Sequence, residues 1–384
     1  MYPVLTLEEA RWYSIERLSR ETGLGIDALR DLLGRLALLE ERAVNALAET
    51  GVNVDEVNPV VLKNDTVYSG DWVGVATFTF KGSLYTIVVR PKISWFDDMV
   101  QKALGVLARL GAGSVYAKLE AAIASAGAIR LPGALLASMF IEEWARSHPI
   151  TPRNLATLAY MTYAATASVT KMLAKLQVPM AVRIPASAPL LALASNPLVA
   201  QSLHTMPTEE PHYEPVEEAA LLARASTVQL GSLAYNLTML LPAPKLFELA
   251  VLAEILDVMH RERGCKTVKI EDWTLILDCR DTEARIYYNK SPRSRLIERL
   301  VGTRLKPDTV IETDDELLIV EAKYRRCDSH LGIGDAVRIA AYMYDLDPNT
   351  LIIVYPECVK TRHVNEKVVI VPFNELKERL EQLL

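Results

Sequence analysis

The stretch KPDTVIETDDELLIVEAKYR, residues 306–325, decides the fold of the C-terminal part of this chain. Two alternating apolar runs flank the tetrapeptide TDDE at 313–316, a pattern that predicts a β-hairpin with its turn at the tetrapeptide. In that register Asp308 lies directly opposite Glu321. Opposed residues point to the same face of a sheet, and so does Lys323, two residues beyond Glu321. Two carboxylates and an ammonium group are therefore predicted to converge.

This convergence predicts a metal site. Two carboxylates held side by side repel each other unless a cation lies between them. Because Mg²⁺ prefers one or two carboxylates together with waters and phosphate oxygens, we expect Mg²⁺ or Mn²⁺ at Asp308 and Glu321. Such a cation activates water and neutralises a scissile phosphate, while Lys323 orients the water and stabilises charge in the transition state. The predicted chemistry is phosphodiester hydrolysis; the alternative is a solvated hairpin whose charges decorate a sheet edge.

The helix ahead of the hairpin is predicted to supply a further carboxylate. In PKLFELAVLAEIL, residues 244–256, Glu248 lies one turn into the helix, and Glu254 falls on a different face. We expect Glu248 to bind the metal as an outer or second-metal ligand. A surface glutamate is the alternative.

Residues 242–384 together read as one α/β domain in the order α-β-β-β-α-β. Its helices are predicted at about 245–263 and 333–345, with a further helix at the end of the chain. Its strands are predicted near 267–278, 283–289, 351–356 and 368–373, with the hairpin at 307–324.

The N-terminal part is predicted to be a multidomain α+β arrangement of three segments. Residues 1–53 read as helical, with a helix-turn-helix-like pattern of two short helices at 14–37. Residues 54–94 predict a small antiparallel sheet. Residues 95–241 predict a helical bundle that couples the chain to a partner. The helices of this bundle are predicted at 97–110, 133–147, 151–176 and 214–240.

The helix-turn-helix pattern leaves two roles open. Its second helix offers Asp27 and Asp31 beside a single Arg30, and acidic side chains repel phosphate. The element therefore either contacts DNA weakly or serves a structural or partner-binding role.

The charge distribution predicts where DNA would pass. A net charge of −6 argues against a protein that coats nucleic acid by charge alone. The segment 285–306, however, holds seven Lys or Arg against one Glu, and 324–326 adds two arginines. A path for DNA phosphates beside the carboxylates is predicted; a solvated charged face is the alternative. The predicted contacts are Lys290, Arg293, Arg295, Arg304, Lys306, Arg325 and Arg326.

The remaining composition excludes several classes of protein. The longest apolar stretches are too short for a membrane helix and the N-terminus lacks a signal-peptide pattern, so a cytoplasmic protein is expected, with no membrane association. His204 and His212 read as part of a loop, and not as metal ligands.

The four cysteines have no C-x-x-C spacing and read as buried or free thiols, with an intracellular disulfide as the alternative in a hyperthermophile. These cysteines are Cys265, Cys279, Cys327 and Cys358.

Motifs in the C-terminal third resemble McrC, the nuclease subunit of McrBC-type modification-dependent restriction systems, in the PD-(D/E)xK nuclease superfamily. The motifs are LFELAVLAEIL at 246–256, PDTVI at 307–311, VEAKYR at 320–325, DAVRIAAY at 335–342 and VYP at 354–356. Shorter matches are VVRPKISWFDD at 88–98 and ASNPLVAQSL at 194–203.

The resemblance implies a restriction-endonuclease-like domain with Asp308, Glu321 and Lys323 at the catalytic positions. It also implies DNA cleavage together with an AAA+ GTPase partner of the McrB type. This division of labour fits the sequence, because a chain without a P-loop motif leaves nucleotide binding to its partner. Arg338 is a departure, because related nucleases often have Gln there, and the helix-turn-helix at 14–37 is no part of the family pattern. Two other functions stay open: a non-catalytic adaptor that activates a partner motor, and a stand-alone nuclease guided by its helix-turn-helix.

Overall fold

The computed structural model divides the chain into two compact units. The first unit comprises Met1–Ala46, Val57–Lys92 and Val115–Pro242, and the second comprises Leu47–Glu56, Ile93–Ser114 and Ala243–Leu384. The residues that the structure describes are 4–48, 54, 57–80, 83–96, 98–99, 102–103, 106, 133–175, 193, 196–204, 209–224, 227–230, 233–236, 241–271, 273–280, 282–294, 296–325, 332–357 and 360–384. The architecture is mixed, with helices and several sheets in the described part of the chain.

A mixed sheet lies in the first unit, in the strand order β1-β6-β5-β9. Its strands are β1 (Val4–Glu8), β5 (Trp72–Phe80), β6 (Ser83–Arg90) and β9 (Leu241–Pro242). The antiparallel pairing of β5 with β6 agrees with the predicted sheet. The parallel pairing of β1 with β6 was not predicted, because the opening of the chain was read as helical. Leu5 and Leu7 on β1 are buried, which gives this strand one apolar face.

A smaller antiparallel sheet has the order β2-β4-β3, and the predicted helix pair lies between β2 and β3 along the chain. These strands are β2 (Trp12–Ser14), β3 (Val61–Lys63) and β4 (Thr66–Tyr68), and the helices are α1 (Ile15–Thr22) and α2 (Ile26–Ala48). Gly23 ends α1 with φ of 69°, a conformation that favours glycine. The prediction of a short second helix is wrong: α2 runs to Ala48, because Leu36, Leu39 and Ala43 continue its buried face.

Among the described residues, four further helices belong to the first unit. They are α3 (Gly133–Ser147), α4 (Pro152–Lys175), α5 (Pro197–His204) and α6 (Tyr213–Arg224), and their buried apolar residues form one core. The helix predicted at 214–240 is wrong beyond Arg224, since β7 (Thr227–Leu230) and β8 (Leu233–Asn236) pair there as antiparallel strands. Their sequence alternates apolar and polar residues around Gly231-Ser232, which favours a hairpin. Most of the helix predicted at 97–110 lies outside the described residues.

The second unit contains a sheet of eight described strands in the order β10-β11-β12-β13-β14-β15-β17-β16. The strands are β10 (Lys266–Glu271), β11 (Thr274–Asp278), β12 (Glu283–Tyr288), β13 (Thr309–Glu312), β14 (Leu317–Ala322), β15 (Thr350–Tyr355), β16 (Arg362–His363) and β17 (Val368–Pro372). The helices are α7 (Ala243–Arg261), α8 (Ile297–Val301), α9 (Ile333–Asp345) and α10 (Phe373–Leu383). Apart from the short α8 and β16, these elements lie where the sequence predicted them.

Pairing changes direction in the middle of this sheet. Strands β12, β13 and β14 are antiparallel neighbours, and β15 then pairs parallel with β14 after the chain has passed through α9. Strand β14 has neighbours on both sides, and each of its residues is buried. On one face of the sheet, Ile339 and Tyr342 of α9 pack with Ile319 and Ile353 in a single apolar core. Within the described residues, no helix combines the length and apolar character needed to cross a membrane.

Cys265 and Cys279 form a disulfide, which corrects the reading of these two residues as free thiols. Their Cα atoms are 4.0 Å apart because β10 and β11 form a hairpin whose register places the two residues opposite each other. Cys327 and Cys358 lie outside the described residues.

Reduction of this disulfide is expected to destabilise the second unit. The two cysteines are 14 residues apart, and a cross-link that closes a loop of this size contributes about 3 kcal/mol. Dithiothreitol should therefore lower the urea concentration at the unfolding midpoint of the wild-type chain. Cys279→Ser, which cannot form the disulfide, should lower that midpoint by the same amount without reductant. A non-reducing peptide map of protein purified without reductant supplies the direct check. Recovery of both peptides as free thiols would contradict the pairing.

Glu40 is a buried acid in the first unit. Its side chain on α2 is fully buried, and its Oε2 accepts a hydrogen bond of 2.6 Å from the N–H of Val60. Burial raises the pKa of Glu40 well above the ordinary value, and the neighbouring carboxylate of Asp71 acts in the same direction. Glu40 is therefore held in its neutral form.

The stability that Glu40 contributes should depend on pH. Because its pKa is raised in the folded state, this contribution is present below the unfolded pKa and is lost as pH rises through the folded pKa. Glu40→Gln cannot ionise, so its unfolding free energy relative to that of wild type should grow as pH rises above about 4.3, the ordinary pKa of a glutamate. Urea melts at a series of pH values measure this difference, with the exposed neighbour Glu41→Gln as the control. A difference that stays constant with pH would show that Glu40 does not titrate as described.

Candidate active site

The predicted hairpin lies at the centre of the sheet of the second unit. Strands β13 and β14 pair with Thr309 opposite Val320, and the same register continues to Asp308 opposite Glu321. The turn at 313–316 closes with a backbone hydrogen bond of 2.9 Å. The register derived from the sequence is therefore confirmed.

The three predicted catalytic side chains are buried together. Asp308 is 5% exposed, Glu321 0% and Lys323 3%. Charged side chains are buried to this extent almost only when they are paired. Their burial on central strands excludes the alternative of a solvated hairpin at a sheet edge.

Hydrogen bonds connect these three residues directly. Lys323 Nζ donates to Glu321 Oε1 at 3.0 Å, and the backbone N–H of Asp308 donates to Glu321 Oε2 at 3.3 Å. The N–H of Ala322 in turn donates to Asp308 Oδ2 at 2.8 Å. The two strands thus hold both carboxylates through backbone donors, and Lys323 is bound to one of them.

Glu248 lies in a second buried polar cluster beside Asp308. Its side chain is 2% exposed, which excludes a surface glutamate, and it forms an ion pair with Lys245 one turn earlier on α7. Tyr288 Oη donates to Glu248 Oε2 at 3.3 Å, and Asn289 Nδ2 lies 3.4 Å from the same oxygen. Glu254 instead pairs with Lys102, as expected for the other face of the helix. A metal-binding role for Glu248 stays a prediction.

Tyr288 and Asn289 link this cluster to the hairpin. Asn289 adopts a left-handed conformation, with φ of 54°, directly after β12, and its N–H donates to the carbonyl of Asp308 at 2.9 Å. Burial raises the pKa of Tyr288 well above its usual value, and the nearby carboxylates of Glu248 and Asp308 raise it further. Tyr288 is therefore a neutral hydrogen-bond donor between the two acidic side chains.

Helix α9 supplies a row of polar residues to the other side of the hairpin. Asp335 Oδ1 lies 3.6 Å from Lys323 Nζ, and Arg338 Nη1 lies 3.7 Å from Glu321 Oε1. One turn further, Tyr342 Oη donates to the carbonyl of Lys306 at 3.3 Å. Residues three and seven positions apart share a helix face, so one face of α9 contacts the site along its length.

Opposite charges alternate across the site. The series runs from Arg338 to Glu321, Lys323, Asp335 and Arg325, each in contact with the next. We call this series the charge row. Glu321 and Lys323 are buried and Asp335 is 13% exposed, whereas Arg338 and Arg325 at the ends of the row are 38% and 43% exposed. The row therefore connects a buried ion pair to two arginines that reach solvent.

Of the predicted DNA contacts that the structure describes, Arg325 belongs to the charge row and the other four do not. Lys290 is half-buried, and Arg304 pairs with Glu298 of α8 at 2.9 Å. Arg325 pairs with Asp335. Arg293 and Lys306 are exposed, and Arg295 and Arg326 lie outside the described residues. Both the DNA path and the solvated charged face stay open as interpretations.

Asp345 fixes the basic segment that leads into the hairpin. It is fully buried at the end of α9 and accepts hydrogen bonds from Ser294 Oγ at 2.6 Å and from the N–H groups of Leu296 and Ile297 at 2.6 and 3.0 Å. The two N–H groups belong to the start of α8, which has no side-chain cap of its own. Asp345 therefore serves as the missing cap from a different helix.

The side chains present fit a hard divalent cation. Asp308 and Glu321 offer buried carboxylate oxygens, and Asn289 Oδ1 is buried with no hydrogen-bond partner among the described residues. Mg²⁺ and Mn²⁺ need one or two carboxylates and take their other oxygens from water or phosphate. Among the described residues, no three or more His, Cys, Asp or Glu side chains are grouped so that they could hold a metal. His204 and His212 are therefore not part of such a group.

Several site residues were missed by the sequence analysis. Lys245, Tyr288, Asn289, Asp335 and Arg338 all contact a predicted site residue, yet none was predicted to do so. Polar residues at the helical spacing 335, 338 and 342 are the signal that could have found the last two. No local signal marks Asn289, because its contact with Asp308 depends on the pairing of β12 with β13.

Comparison with known proteins yields no family assignment. No protein-family model and no curated protein matches this chain. Among solved structures, the chain is similar to a chain described as "Refined half-complex from tetradecameric assembly of Thermococcus gammatolerans McrB AAA+ hexamers with bound McrC". The match covers 99% of this chain and 100% of the other, with 12% sequence identity and a TM-score of 0.43. A TM-score of this size is too low to carry a conclusion about fold or function.

Removal of the Asp345 carboxylate should loosen α8. Asp345→Ala leaves two backbone N–H groups and a hydroxyl without their acceptor, so the free energy of unfolding should fall by about 2–4 kcal/mol. Hydrogen exchange at Leu296 and Ile297 should accelerate. Glu298→Ala on the same helix removes an exposed ion pair and should change stability by less than about 1 kcal/mol. Equal effects of the two substitutions would contradict the capping role.

Proposed function

We propose that this chain is a metal-dependent DNA endonuclease with Asp308, Glu321 and Lys323 as its catalytic residues. The observation that carries the proposal is the buried hairpin in which Asp308 faces Glu321 and Lys323 is bound to Glu321 at 3.0 Å. The mixed α/β elements of the second unit agree with the α/β domain predicted for residues 242–384, which supports a domain of the PD-(D/E)xK type. The resemblance of the motifs at 307–311 and 320–325 to the McrC family points the same way.

Asp308 and Glu321 would hold Mg²⁺ or Mn²⁺, with Glu248 and Asn289 behind them. The cation supplies the activation of water and the neutralisation of phosphate charge. Asp308 is kept in place by the N–H of Ala322, and Glu321 by the N–H of Asp308, so neither carboxylate has to be oriented by the substrate. This preorganisation lowers the cost of reaching the transition state.

Lys323 would orient the attacking water and stabilise the negative charge that develops on the phosphate. Its ammonium group lies between Glu321 and Asp335, at 3.0 and 3.6 Å, which limits the positions that it can adopt. Because an ammonium group has three donors, it can keep both carboxylates and still donate to a third acceptor. Lys323 is thus positioned by its two acidic partners.

We also propose that the chain works with an AAA+ GTPase of the McrB type, which would supply translocation and recognition of modified DNA. The motif resemblance supports this proposal, and the sequence has no P-loop of its own. A stand-alone nuclease guided by the helix-turn-helix has less support. Arg30 of α2 is bound to Asp65 at 3.0 Å, and the same helix buries its apolar face in the first unit.

Asp308→Asn should abolish cleavage while the fold persists. The amide oxygen of Asn can still accept from the N–H of Ala322, but it carries no charge for a cation. Nicking of supercoiled plasmid with Mg²⁺ or Mn²⁺, by the full chain together with an AAA+ GTPase of the McrB type, should fall by roughly two to four orders of magnitude. Lys323→Met should cause a loss of similar size.

The matched control is Asp314→Asn, an exposed carboxylate in the turn of the same hairpin, which should cut like wild type. Cleavage by Asp308→Asn at the wild-type rate would overturn the nuclease proposal. Stimulation of the partner's GTP hydrolysis distinguishes the adaptor function, since Asp308→Asn should retain it. If the wild-type chain stimulates GTP hydrolysis by the partner but cuts none of the DNA substrates tested, the non-catalytic adaptor function would be favoured.

A further inference from the structure

Arg338 has an unusual place for a cation at this site. Its Nη1 lies 3.7 Å from Glu321 Oε1, the same oxygen that accepts from Lys323. Lys323 is 3% exposed and is held by two carboxylates, whereas the Arg338 side chain is 38% exposed. Of these two cations, Arg338 is the one that reaches both the buried carboxylate and the solvent.

The backbone that carries Arg338 is firmly fixed. Its neighbour Ile339 belongs to the apolar core, and Tyr342, one turn later, is 2% exposed and bound to the carbonyl of Lys306. Movement at this position is therefore confined to the long side chain. Arginine has enough rotatable bonds to move its charged group several ångströms without moving its helix.

A divalent cation and the guanidinium group compete for Glu321. The contact of 3.7 Å places positive charge beside a carboxylate that would hold the metal, and two cations at one carboxylate repel each other. Binding of Mg²⁺ or Mn²⁺ therefore weakens the attraction between Arg338 and Glu321. The displaced guanidinium needs another anion, and its planar donors match the oxygens of a phosphate in a two-pronged hydrogen bond.

We propose that Arg338 is a phosphate-binding residue of this site that exchanges between two anions. Without a divalent cation it neutralises Glu321, and with the cation bound it contacts a phosphate of the DNA strand. This inference rests on the proposed nuclease function. It adds Arg338 to the residues that bind DNA, and the contacts of the charge row are the evidence for it. It makes metal binding and DNA binding mutually dependent, because each favours the same position of Arg338.

Metal affinity measures the first half of the exchange. Mn²⁺ is titrated into the full chain by calorimetry, without DNA. Arg338→Gln removes the competing charge, so Mn²⁺ should bind about three- to tenfold more tightly than to wild type. Arg338→Lys keeps the charge and should resemble wild type. Arg261→Gln removes an exposed arginine at the end of α7 that pairs with Asp257, outside the charge row, and should leave Mn²⁺ affinity unchanged.

DNA affinity measures the second half. Binding of a 20-base-pair duplex is followed with and without Ca²⁺, and gels confirm that the duplex stays intact. In wild type, Ca²⁺ should increase duplex affinity; in Arg338→Gln the increase should be about three- to tenfold smaller. Without Ca²⁺ the two proteins should bind alike, because Arg338 is then held by Glu321. A purely structural role for Arg338 would lower affinity equally in both conditions.

The outcomes separate this inference from the function on which it rests. Mn²⁺ binding that is lost in Asp308→Asn but is unchanged or weakened in Arg338→Gln would overturn the exchange and leave the nuclease proposal standing. Wild-type Mn²⁺ binding that persists unchanged in Asp308→Asn would overturn both, since the cation would not be at these carboxylates. Tighter Mn²⁺ binding with an undiminished effect of Ca²⁺ on duplex affinity would also overturn the phosphate contact.

Discussion

The buried ion pair between Glu321 and Lys323 is the interaction on which the second unit depends. Glu321 lies on the central strand β14, Lys323 lies just beyond the end of that strand, and both side chains are buried. Transfer of a charge from water into a protein interior costs several kcal/mol unless partners replace the lost hydration. The surrounding elements supply those partners, so much of the sheet and of α9 is arranged around two charges that the fold would not bury alone.

The hairpin turn sets which residues can serve as partners. A shift of one residue between β13 and β14 would turn Asp308 to the opposite face of the sheet and remove its N–H from Glu321. The short turn at 313–316 prevents this shift because its closing hydrogen bond aligns the two strands. The register therefore matters for the proposed chemistry as well as for the fold, because it determines whether the carboxylates of Asp308 and Glu321 lie close together.

The partial success of sequence reasoning follows from the range of the interactions involved. The hairpin and α9 were predicted well because their patterns are local: alternation around a turn, and helical spacing over one apolar face. The first unit was predicted less well. Its opening strand β1 pairs with β6, which is distant along the chain, and no local pattern of the first eight residues reveals that partner. Beyond Arg224, the Ala- and Leu-rich composition of the preceding helices concealed the alternation that forms β7 and β8.

The amino-acid sequence was enough to predict the main elements of the C-terminal part, the hairpin register and a shared face for Asp308, Glu321 and Lys323, because period and turn length are local properties. The tertiary structure alone decided what surrounds them. It brought Asn289 and Glu248 to one side and Asp335 and Arg338 to the other, and it placed Asp345 as a cap for α8. These contacts join residues that no periodicity relates, since they arise only when helices pack on the two faces of a finished sheet.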